Sequence, residues 1–86
     1  MKNNNKQDND IYDILSKNIK KYRKERHMTQ AQLAEKSEYS HEFIRRIEAP
    51  NSKKNFSLDA VNNIAKALEV KIDLLFKSPE EDDDDK

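Results

Sequence analysis

Residues 29–48 read TQAQLAEKSEYSHEFIRRIE. Counting from Gln30, the small Ala34 is fifth, Glu38 ninth, Ile44 fifteenth and Ile47 eighteenth. A small residue at the fifth place lets two helices cross closely, and the later apolar residues anchor the second helix while its outer face stays free. This is the spacing of a helix-turn-helix, whose second helix enters a major groove of DNA. The stretch therefore predicts contact with DNA before any other property.

Working outward, three segments share one start signal. Met28-Thr29 with Leu33, Tyr39-Ser40 with Ile44, and Phe56-Ser57 with Val61 each place a hydroxyl cap between two apolar residues able to staple the first turn. Thr29 and Gln32 complete a capping box. Upstream, Ile11, Leu15, Ile19 and Tyr22 recur every three or four residues and predict a helix over 11–26, with Lys17, Lys20, Lys21, Lys24 and Arg26 on a solvated face. Downstream, Leu58, Val61, Ile64, Ala65 and Leu68 predict a fourth helix, and 72–76 a short fifth. No segment alternates with period two, so the class is all-α.

The chain has no glycine, the usual residue for ending a helix in the left-handed region. His27 and Glu38 stand where glycine is expected. His tolerates that backbone better than most residues, and Glu tolerates it less, at a strain of roughly 1 kcal/mol.

With 86 residues, of which 28 of the 29 hydrophobic ones lie between Ile11 and Phe76, there is room for one core. The expected organisation is a polar, disordered lead-in over 1–10, a folded domain over 11–77, and an acidic tail over 78–86. The formal net charge of zero hides an asymmetry: 11–77 hold 14 Lys and Arg against nine Asp and Glu, whereas 78–86 hold six acids and one Lys. The domain alone is basic, as a phosphate-binding surface requires. The final EEDDDDK reads either as a remnant of an expression tag, since DDDDK is the enteropeptidase recognition sequence, or as a native tail that competes with DNA for the basic face.

The absence of cysteine removes disulfides, thiolate metal sites and thiol nucleophiles. No apolar run approaches the roughly 18 residues of a membrane span and no signal-peptide core is visible, so the expected location is cytoplasmic. His27 and His41 have no nearby third ligand, and no catalytic triad, paired carboxylates or glycine-rich phosphate loop is present. Neither an enzyme nor a cofactor is expected.

The run NIKKYRKERHMTQAQLAEKS, followed by FIRRIE and SLDAVNNIAKALEV, resembles the Cro/CI-type, or XRE-family, helix-turn-helix regulators over about residues 14–76. The resemblance implies a compact five-helix, lambda-repressor-like domain. The sequence departs from the family at its missing glycines, at Ala49-Pro50 after Glu48, and at Lys71, where Ser or Thr often caps the fifth helix.

By resemblance, the recognition helix spans 40–48, and His41, Glu42 and Arg46 meet base edges. Arg46 could grip guanine O6 and N7, and Glu42 could accept from a cytosine amino group. The same outward positions follow from the helix itself, because Phe43, Ile44 and Ile47 are assigned to the core and leave His41, Glu42, Arg45 and Arg46 outside. The plainer alternative is an ordinary charged face. The resemblance further implies that Gln30 binds a backbone phosphate at the amino end of the second helix, with Ser40 and Arg45 beside it, and that Asn51, Ser52, Lys53, Lys54 and Asn55 lie along the same strand. For that loop the alternative is a solvated polar segment. Arg23 and Glu48 match an inner salt bridge of the family with a structural role.

The resemblance also implies double-stranded DNA as partner and a repressor acting by occlusion on an inverted-repeat operator, as a homodimer. Leu68, Val70, Ile72, Leu74, Leu75 and Phe76 offer more apolar side chains than a small core needs, and the surplus would form a symmetric interface; core packing alone is the alternative. The rival function is an antitoxin-like or coactivator-like protein-interaction module of the same fold, with a protein partner as its main target.

Overall fold

Each hydroxyl expected to start a helix is a cap in the computed structural model, which describes residues 11–49 and 55–78. The Thr29 side chain accepts from the Gln32 N–H at 3.0 Å while the Gln32 side chain accepts from the Thr29 N–H at 2.8 Å, closing the capping box. Ser40 Oγ accepts from Phe43 N–H, and Ser57 Oγ from Ala60 N–H. The described residues form five helices and no strand: α1 (Ile11–Glu25), α2 (Gln30–Ser37), α3 (His41–Glu48), α4 (Leu58–Leu68) and α5 (Ile72–Leu75). The fold is thus all-α.

The chain ends its helices without glycine by one repeated device. His27, Glu38 and Glu69 adopt φ of 57°, 67° and 61°. After each, the next N–H reaches back five residues: Met28 to Arg23, Tyr39 to Ala34, and Val70 to Ala65. These are Schellman closures, which satisfy carbonyls that the helix end would otherwise leave bare. Met28, Tyr39 and Val70 then pack against the core, so each residue closes one helix and precedes the cap of the next. Glu69 was not singled out from the sequence. Lys71 caps α5 with no side-chain hydrogen bond.

One apolar cluster joins the helices. Ile19, Leu33, Ile44, Ile64, Leu68 and Leu75 are fully buried, and Ala34 is buried at the crossing of α2 and α3. Several expectations need correction. Leu68 and Leu75 belong wholly to the core and leave no surface for a partner. Ile11, expected on the inner stripe of α1, is 41% exposed, and Leu58, at the first position of α4, is 66% exposed. Phe43, assigned to the core, is half-buried and lies against Tyr39 with ring centroids 4.8 Å apart. α1 stops at Glu25, one residue short of the expected end.

α1 holds its neighbours through polar groups set among its apolar ones. Ser16 Oγ donates to Ile47 O at 2.6 Å, at the end of α3. The Asn18 amide donates to Leu75 O at 2.8 Å and Lys77 O at 2.7 Å, at the end of α5. α3 and α5 are therefore both fixed to the same element.

Candidate nucleic-acid interface

His41, Glu42, Arg45 and Arg46 are all exposed on α3, while Ile44 and Ile47 on its other side are buried. At about 100° per residue the four exposed positions fall within about 140° of arc. They form one polar face with two guanidinium groups, an imidazole and one carboxylate, and among the described residues none of them is ion-paired. Ser40 is exposed at the head of that face, and its oxygen already serves as cap acceptor, which leaves its O–H free to donate outward.

The rear of the interface is a buried network centred on Glu48, whose side chain is 2% exposed. Arg23 donates to it twice, Nε to Oε2 at 2.7 Å and Nη2 to Oε1 at 2.9 Å. The third guanidinium nitrogen, Nη1, donates to Met28 O at 2.7 Å, in the turn before α2. Gln30 Nε2 completes the set by donating to Glu48 Oε1 at 3.0 Å. A planar guanidinium bound to a carboxylate along two parallel bonds fixes direction as well as distance. The end of α3 is thereby tied to the start of α2.

That start is itself suited to an anion. Thr29 takes up the Gln32 and Leu33 N–H groups, and among the described residues the Gln30 and Ala31 N–H groups have no hydrogen-bond partner. Free donors at the positive end of a helix dipole favour a phosphate. The Gln30 side chain, which the sequence placed on phosphate, is held by Glu48, so the anion would meet the backbone donors and the amide hydrogen not so engaged.

Asn55 is exposed before α4. Asn51, Ser52, Lys53 and Lys54 lie outside the described residues. Sequence reasoning missed Ser16 and Asn18, and also the bond from Asn63 Nδ2 to Tyr39 Oη at 3.0 Å, which fastens the turn between α2 and α3 to α4. The available signal for the first two was a polar residue directly beside a core position of α1, Leu15 for Ser16 and Ile19 for Asn18.

Two helices crossing at Ala34, a capped turn and an exposed basic second helix define a helix-turn-helix DNA-binding protein. A helix-turn-helix family model matches residues 19–75, and the chain belongs to that family in its XRE form, a family of DNA-binding transcription regulators. The restriction-modification controller protein C.Esp1396I is 37% identical, with a TM-score of 0.69 over 78% of this chain and 84% of its own. A tyrosine-to-phenylalanine variant of that controller, bound to its highest-affinity operator site OM, is 39% identical, with a TM-score of 0.68 over 77% and 84%. The hypothetical transcription factor NHTF from Neisseria is similar in fold, with a TM-score of 0.81 over 98% and 94% at 20% identity. No curated protein matches the chain.

Proposed function

We propose that this regulator binds an inverted-repeat operator as a homodimer and represses transcription by occluding it. His41, Glu42 and Arg46 read base edges. Gln30, Ser40, Arg45 and Asn55, with Asn51, Ser52, Lys53 and Lys54, hold the backbone that sets the register. The observation that carries this reading is the exposed face of α3, without ion pairs among the described residues, on a helix locked from behind by Arg23, Glu48 and Gln30. A helix fixed in this way before binding presents its face without reordering on meeting DNA. The DNA-bound controller relative, whose chain this one largely covers, supports the reading by similarity.

The dimer would form through α5 and the start of α1. Phe76 and Ile11 are 37% and 41% exposed, and Ile72 and Leu74 are half-buried. A symmetric pair of apolar patches would cover one another and place two recognition helices on successive grooves.

Sedimentation equilibrium of the full chain tests the assembly: a dimer is expected at micromolar concentration, and Phe76→Glu should shift it toward monomer. Salt-titrated binding tests the face: Arg45→Ala should flatten the dependence of log affinity on log salt by roughly one unit, the value for one lost phosphate contact. A monomeric chain whose salt dependence ignores Arg45 would favour a protein partner over DNA as the main target.

A further inference from the structure

Asn18 is 2% exposed in the middle of α1, beside Ile19 at 0%. A polar amide in such a place is costly unless its hydrogen bonds are made. Here its two N–H groups are spent on short bonds to Leu75 O and Lys77 O, with Leu74 O at 3.5 Å alongside. Leu75 O is in the last turn of α5, where a helix end leaves carbonyls without intrahelical partners, and Lys77 O lies just beyond it.

The end of α5, like that of α3, lacks the left-handed closure of the other described helices. α5 has four residues, its first residue is preceded by Lys71 with no side-chain cap, and Phe76 at its end is right-handed, with φ −94° and ψ −3°, so no left-handed closure follows. α1, α2 and α4 all end in that closure. A single turn is marginal alone, and Asn18 fastens this one from a neighbouring helix.

The position of Asn18 on α1 gives the bond a further consequence. Ser16, two residues earlier, holds Ile47 O at the end of the recognition helix. Two residues are about 200° apart on a helix, so the two side chains leave opposite flanks of α1. α1 thus holds α3 by one flank and α5 by the other. Ile11, at the spacing i, i+7 from Asn18, lies on the same flank as α5 and is exposed, as is Phe76.

We infer that Asn18 is a positioning residue for operator recognition: by fixing the end of α5 against α1 it sets the dimer surface relative to the recognition helix, and so the half-site spacing the dimer accepts. The inference rests on dimerisation through α5. Asn18 itself faces inward and touches no DNA.

The test uses the full chain carrying Asn18→Leu, which keeps the branched shape of the native side chain with more bulk and no donors. Circular dichroism and thermal melting check that it folds; where it does not, the smaller polar Asn18→Ser carries the same comparison. Three quantities are measured: the self-association constant, affinity for a duplex bearing one half of a sequence selected from a random library, and affinity for full operators whose half-sites are moved apart by one or two base pairs. The expected result is self-association weakened by about tenfold, half-site affinity within twofold of native, and reduced discrimination between spacings. A purely structural role would lower the melting temperature without relaxing the spacing preference. Unchanged self-association and spacing preference, or a parallel fall in all affinities, overturns the inference. A native chain that stays monomeric on operator DNA overturns the dimer reading itself.

Discussion

Glu48 shows how one residue can serve both stability and recognition. Its carboxylate, nearly without solvent, accepts from Arg23 twice and from Gln30 once. Removing one partner of such a pair strands a buried charge, so Arg23→Met or Glu48→Leu alone should cost about 3–5 kcal/mol, a large share of the stability of a small domain. The double variant should cost clearly less than the sum. Urea unfolding of all four proteins measures this coupling, and additivity would contradict it. On the outer face, Arg46→Ala should cost about 1–3 kcal/mol against the selected operator and relax preference at one base position, whereas Arg45→Ala should weaken all sequences alike. The Arg23–Glu48 pairing was legible through the family resemblance. The Gln30 bond was not, since an amide side chain 18 residues from its partner carries no sequence pattern.

At the scale of the helices, the starts were easier to read than the ends. A hydroxyl cap and its staple are local, and Thr29, Ser40 and Ser57 all act where the sequence put them. Helix ends without glycine leave a weaker trace, and nothing in the sequence marks Glu69, whose φ is 61°. The strain is testable. A non-glycine residue in the left-handed region costs about 1–2 kcal/mol, partly offset by the extra unfolded freedom that glycine brings. Glu38→Gly and Glu69→Gly should therefore each stabilise the fold by roughly 0.5–1 kcal/mol, which raises the melting temperature by several degrees in a domain of this size. Glu69 gives up little in the exchange, since its contact with Lys36 is 3.7 Å long and both side chains are largely exposed. Melting curves that fall instead would show that these side chains contribute more than their backbone strain costs. The C-terminal helices were legible as helices but not in their burial. Apolar residues at 68–76 look alike in sequence, and only packing separates buried Leu68 and Leu75 from exposed Phe76.

At the scale of the whole molecule, charge distribution decides more than net charge. The excess of five positive charges over 11–77 and the excess of five negative charges over 78–86 cancel in the formal total, yet charges of opposite sign have opposite effects on DNA affinity. The acidic residues lie outside those described, so their effect is a matter for solution measurement. A chain ending at Ser78 should bind DNA more tightly than the full chain at low salt, and the difference should vanish as salt screens both. Equal affinities at low salt would remove the tail from the binding equilibrium. The helix-turn-helix and the basic character of its domain were legible because spacing and charge are local counts. The interlock through Ser16, Asn18 and Asn63 was not, because it joins elements far apart in the chain.

Selection of bound sequences from a random duplex library, with the full chain as bait, addresses sequence-specific recognition by a dimer most directly. An inverted repeat with half-sites about 10 bp apart is expected, and Arg46→Ala should blur one position in each half. Recovery of duplexes with no shared sequence, or of a single unrepeated site bound by a monomer, would contradict it.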